Sequence, residues 1–162
     1  MKKILIVLFV SMVSLGMSAQ SGSAIYEKYA DAEGVAAVHV SSNLFRLFHR
    51  LPSINVGGED DLDLSPIVRS LTGLYVLTSE NRKSSENMLK DVERYLRKGR
   101  FDELLEAKEK GRVIHVYTCG DEEIVESLVL VSRDSDEAAF ICLDGEMPRE
   151  ELERAIAKAA ED

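Results

Sequence analysis

The sequence predicts an α+β fold, a two-layer α/β sandwich with helices mostly on one face of a mixed five-stranded sheet. Three observations carry this reading. Helical periods alternate with β-rich runs through the first two thirds of the chain, three strand-like runs then follow with only turn residues between them, and an amphipathic helix closes the sequence. The element order is α-β-α-α-β-α-α-β-β-β-α. Helical crossovers predict parallel strands one to three, and the short connections predict an antiparallel three-strand meander at the end.

Ahead of the domain, Lys2 and Lys3 precede an apolar run from Ile4 to Met17, followed by Ser18, Ala19 and Gln20. Residues 1–19 read as a secretory signal peptide, because the run is short for a membrane span of roughly 20 residues and Ala19 offers a small residue for cleavage. A second cleavage point follows Ala24. Both cysteines lie far downstream, which argues against lipidation at the cleavage point. Residues 20–162 then form a single domain, exported to the periplasm or the extracellular space.

Within that domain, Ala24 to Asp31 predicts a short helix carrying Ile25, Tyr26 and Tyr29, and Gly34 ends it before strand one, Val35 to Ser41. Asn43 to Leu51 predicts a helix with Leu44, Leu47, Phe48 and Leu51 on one face, stopped by Pro52. Ser53 to Asp63 is rich in glycine and acids and predicts an exposed loop. A helix over Leu64 to Leu71 leads to strand two, Gly73 to Thr78, whose continuous apolar run suits burial on both faces. Ser84 or Ser85 can cap the next helix, whose stripe is Met88, Leu89, Val92, Tyr95 and Leu96, with Gly99 as a left-handed end. Phe101 to Lys110 predicts a second helix with Phe101, Leu104 and Leu105 inward. Strands follow at Arg112 to Cys119, Glu123 to Ser132 and Glu137 to Leu143, and Pro148 opens the last helix, with Leu152, Ala155, Ile156 and Ala159 inward.

Charge narrows the partners. The formal net charge is −9, and loss of a leader holding two lysines and no acids makes it −11. Such a surface repels nucleic acid and anionic lipid, so an envelope or extracellular protein is the expected partner, with no stable membrane insertion after cleavage. An oxidising compartment permits a disulfide between Cys119 and Cys142. On the predicted meander they sit either side of a central strand, about 9–10 Å apart, and a bridge needs Cα atoms within about 7 Å. Two unpaired buried thiols are expected, and another strand order would reverse that.

The residues give little catalytic chemistry. Glu59, Asp60, Asp61 and Asp63 gather four carboxylates, yet an EF-hand opening at Asp61 would place Ser65, Pro66 and Thr72 where a ligand, glycine and glutamate belong. His39, His49 and His115 lack the close spacing of structural zinc ligands. No Gly-x-Ser-x-Gly turn is present, and the acids Asp121, Glu122 and Glu123 beside Cys119 would raise its pKa. No catalytic residue, cofactor site or metal ligand is assigned.

Several segments resemble a family of exported bacterial proteins typical of the Bacteroides group, catalogued as domain of unknown function 4252. These are Glu33-Gly34-Val35, Asn43-Leu44-Phe45, Leu74-Tyr75-Val76-Leu77, Lys98-Gly99-Arg100-Phe101-Asp102-Glu103-Leu104-Leu105, Glu126-Ser127-Leu128-Val129-Leu130-Val131 and Leu143-Asp144-Gly145-Glu146-Met147. The likeness spans about residues 24 to 157. It implies a signal peptide, one α/β domain and an envelope or extracellular location, and supplies no catalytic residue. The function expected is a non-catalytic secreted or periplasmic binding module, acting through an open sheet face or the loop at Glu59. The alternatives are a small hydrolase built from His39, Ser41 or His115 with a carboxylate, and an envelope-stress signalling accessory protein.

Overall fold

Seven uncharged residues, Val35–Ser41, form β1, the first strand of an antiparallel sheet whose order does not follow the chain. The computed structural model describes residues 21–50, 55–56 and 62–161. Its remaining elements are α1 (Gly22–Tyr29), α2 (Ser42–Phe48), β2 (Asn55–Val56), β3 (Leu62–Asp63), α3 (Ser65–Ser70), β4 (Leu71–Ser79), α4 (Arg82–Lys98), β5 (Asp102–Glu109), β6 (Arg112–Gly120), β7 (Ile124–Arg133), β8 (Ala138–Pro148) and α5 (Arg149–Glu161). Six strands make one sheet in the order β1-β4-β8-β7-β6-β5, every neighbouring pair antiparallel. Strands β2 and β3 form a separate two-stranded ribbon.

The architecture is α+β as the sequence predicts, with three corrections to its detail. First, the sheet has six strands, because Asp102–Glu109 is a strand and not a helix. Second, it is wholly antiparallel and not mixed. The chain leaves the end of β1 into α2, returns through α3, and enters β4 at the same end of the sheet, where Ser41 pairs with Gly73. An excursion that starts and finishes at one end yields antiparallel neighbours. Third, helices cover both faces.

Alternation along the strands divides the apolar residues into two cores. One face buries Leu77, Val129, Val131, Phe140 and Cys142 beneath Ile25 and Tyr29 of α1 and Met88, Val92, Tyr95 and Leu96 of α4. The opposite face gathers Leu74, Leu128 and Leu143 with Phe45 of α2, Ile67 of α3 and Leu152 of α5.

The helix ends also depart from expectation. Asn81 caps α4, its side-chain oxygen accepting from the Ser84 amide at 3.0 Å, so Ser84 and Ser85 lie inside the helix. Gly99 is right-handed, and the positive φ falls one residue later at Arg100. At the start of the fold, the Ser21 hydroxyl accepts from the Ala24 amide at 3.3 Å. Ala24, the second candidate cleavage point, therefore sits inside the first turn of α1. Residues 1–19, the predicted leader, lie outside the described residues, and no described helix is long and apolar enough to cross a membrane.

Helices α1 and α4 are tied by a charged knot. Asp91, buried on α4, accepts from Tyr29 Oη at 2.6 Å and Lys28 Nζ at 2.5 Å, with Arg94 Nη1 at 3.1 Å on its other oxygen. Burial would raise the Asp91 pKa, but the hydrogen bonds from Lys28 and Tyr29 and the nearby cationic charges outweigh it and hold the carboxyl below its usual range. A depressed carboxyl contributes stability above its unfolded value, about 3.9, and that contribution is lost as pH falls through the folded value. Asp91→Asn is expected to cost about 2 kcal/mol at neutral pH, and to flatten the decline in stability on acidification below about pH 4. Urea unfolding at neutral and acid pH measures both.

Candidate functional site

Two features of the sheet are not explained by packing, and each follows from strand register. On β5 and β6 the regular pairing places Glu106 opposite His115. Glu103 lies three residues before Glu106, which in an unbroken strand would send the two to opposite faces. The register shifts between Glu103 and Leu105, so the extra residue Leu104 returns Glu103 to the His115 face. His115 Nδ1 is 3.2 Å from Glu103 Oε2 and 3.8 Å from Glu106 Oε2. Lys108 Nζ holds the other Glu106 oxygen at 2.7 Å and draws that carboxyl below its usual pKa. Tyr117 stands opposite Glu103 in the strand pairing, and burial together with the Glu103 carboxylate raises its pKa.

His115 and Tyr117 also floor a groove of about 200 Å³ between β6 and α4, walled by Leu89, Val92 and Leu96 and rimmed by Glu93 and Arg133. The Glu103-Glu106-His115 cluster therefore borders a half-apolar groove on the α4 face.

On the opposite face, registry across all six strands aligns Val38, Val76, Ile141, Leu130, Val116 and Leu105 in one row. None of the six belongs to either buried cluster. Val38, at the β1 end, is 53% exposed, and Leu105, at the β5 end, 37%. The adjoining row is small, with Ala36, Thr78, Ala139, Ser132, Ile114 and Ala107 in register.

The residues singled out from sequence are distributed elsewhere. His39 stacks on Tyr75 at 4.8 Å between ring centroids and lies 5.6 Å from Tyr26. Three strands separate it from His115, roughly 19 Å across the sheet, so the two do not meet. Ser41 is exposed at the end of β1. Hydrogen bonds from the Ser65 hydroxyl and from its amide, the latter at 2.9 Å, lower the Asp63 pKa, while Glu59, Asp60 and Asp61 lie outside the described residues.

Cys119 and Cys142 are unpaired, on β6 and β8 with β7 between them. Cys142 is fully buried and Cys119 half-buried. Burial and the Asp144 carboxylate push the Cys142 thiol up to about 12. Cys119 is raised by burial and by Glu126 and Asp102, and its Sγ donates to the Gly99 carbonyl at 3.3 Å. Neither thiol is set up as a nucleophile.

The model for the domain of unknown function 4252 matches residues 26–155. The chain belongs to this family. No curated protein and no solved structure matches it. Segments that carry the likeness hold the fold together: Gly145, for instance, lies so close to the Ser70 and Leu71 backbone that a Cβ there would clash.

Sequence reasoning missed the two-glutamate, one-histidine cluster because Phe101 to Lys110 reads as a helix. The available signal was Lys110-Gly111 ahead of the alternating run on β6, where both residues have positive φ, as a two-residue hairpin turn requires. With dithionitrobenzoate on the non-reduced native protein, Cys119 is expected to label slowly and Cys142 only on unfolding. Cys119→Ser should abolish the native labelling. Absence of free thiol after unfolding without reductant would establish a disulfide and overturn this geometry.

Proposed function

We propose that the chain is an exported, non-catalytic module that binds an extended segment of a partner protein as an added strand along β1. The supporting observation is the contrast between the two edges of the sheet. Edge strand β5 carries Asp102, Glu103, Glu106, Lys108 and Glu109, and such charges guard an edge against further pairing. Edge strand β1, Val-Ala-Ala-Val-His-Val-Ser, carries none, in a chain with 29 acidic residues. Its outer backbone groups are a template for strand addition, and Val38 extends the aliphatic row to that edge.

The partner segment is uncharged and alternating along its length, with apolar side chains toward the Val38 row. Basic flanks suit it, since the chain's net charge of −9 attracts cations and repels a second copy. Backbone hydrogen bonds supply affinity here, and the Val38 side chain supplies the choice of face.

A lysine-flanked peptide of alternating valine and threonine, fluorescently labelled, is the probe. Saturable anisotropy is expected with the full mature chain, weakened at least about tenfold by Val38→Lys through a charge placed on the edge, and unchanged by Leu104→Ala. Absence of saturation, or equal binding by Val38→Lys, overturns the reading. A dimer in sedimentation that Val38→Lys dissolves would assign the edge to a second copy and overturn it equally.

A further inference from the structure

The geometry points to a divalent transition-metal site formed by Glu103, Glu106 and His115 on the α4 face of β5 and β6. It is independent of the β1 edge, which lies at the other side of the sheet. The argument begins with the bulge. A surface strand that only needed to pair with β6 would do so without Leu104, and the extra residue brings a second carboxylate onto the His115 face. Bulges that re-aim a side chain recur beside functional sites.

The ligand atoms are already near the spacing a bound ion imposes. One imidazole nitrogen and two carboxylate oxygens lie within 4.8 Å of one another. His115 Nδ1 stands 3.2 Å and 3.8 Å from the glutamate oxygens. Tetrahedral bonds of about 2.0–2.1 Å place ligand atoms roughly 3.4 Å apart, so small rotations of two exposed glutamates complete the set.

Outer contacts fix the ligands in part. Lys108 occupies Glu106 Oε1 at 2.7 Å and leaves Oε2 toward His115. Such an outer contact orients a ligating carboxylate, and Tyr117 stands opposite Glu103 on the same face.

The donor set selects the class of ion. An imidazole with two carboxylates suits zinc, manganese or ferrous iron, whereas calcium and magnesium take oxygen alone. Two carboxylates neutralise a divalent charge, and the Lys108 ammonium lowers affinity for it. Three protein ligands leave at least one coordination position open. His115 belongs to both the cluster and the Leu89–Val92–Leu96 groove, so a donor atom lying in that groove has access to the open position.

Zinc chloride titrated calorimetrically into the full mature chain is the test, in buffer free of chelating components. One site per chain with micromolar affinity is expected, together with an intense visible absorption when cobalt(II) replaces zinc. His115→Ala and Glu103→Gln should each weaken binding by about tenfold or more, while Cys119→Ser should leave it intact. Glu106→Gln is a second carboxylate variant should Glu103→Gln perturb the fold, with circular dichroism as the check on each. No saturable heat at millimolar zinc overturns the inference. So does zinc binding that survives both His115→Ala and the glutamate variants.

Discussion

The structure depends on β8 entering the sheet between β4 and β7. Phe140, Cys142 and Met147 on this strand are fully buried. It pairs along its length with β7, its neighbour in sequence, and with β4, which precedes it by α4 and three strands. Until it docks, β1 and β4 have no bond to the β5-β6-β7 meander, and Phe140 has no core to fill. The fold therefore rests on a non-local pairing, which carries the loop-closure entropy that slows folding. Gly145 makes the close fit possible at the end of β8, where β4 shifts register between Leu71 and Gly73.

Placing the last strand in the centre decides where chemistry can appear. The middle strands are saturated: each bonds to two neighbours, and much of their side-chain surface packs into the two cores. Polar groups there serve the fold, as Ser127 does by donating to Asp144 at 2.8 Å beside Cys142. Among the described residues, only β1 and β5 are edge strands of the six-stranded sheet. At β5, acidic side chains and the Leu104 bulge occupy the edge, whereas β1 is left neutral.

The strand cores and most helices were legible in the sequence because their patterns reflect burial. Val35–Ser41 was placed to the residue, and the α4 stripe of Met88, Val92, Tyr95 and Leu96 is the one that packs. Segment Phe101 to Lys110 was misread for a physical reason. Phe101, Leu104 and Leu105 fall at helical spacing, and glutamate, leucine, alanine and lysine favour helix. As an exposed edge strand, β5 has no buried side chain of its own and hence no alternating pattern to read. Its identity comes from the Lys110-Gly111 turn and from β6, so local propensity yields to a tertiary pairing. That single misreading hid the sixth strand and, with it, the approach of Glu103 and Glu106 to His115.

Strand direction escaped the sequence for a related reason. Helices between two strands normally imply a crossover, and a crossover implies parallel strands. Here α2 and α3 pack beneath the same end of the sheet, with Phe45 and Ile67 in one cluster, and return the chain to where it left. Helix α4 alone makes a true crossing, and the strands it joins, β4 and β5, do run the same way. They lie four positions apart, so no parallel pair results. The crossing leaves α4 over the centre of the sheet and stops short of covering β6 fully, which is why His115 and Tyr117 floor a groove and do not vanish into the core. The glutamate–histidine cluster is thus a consequence of topology as much as of residue choice: a strand added outside the span of its covering helix keeps its inward-facing side chains wet.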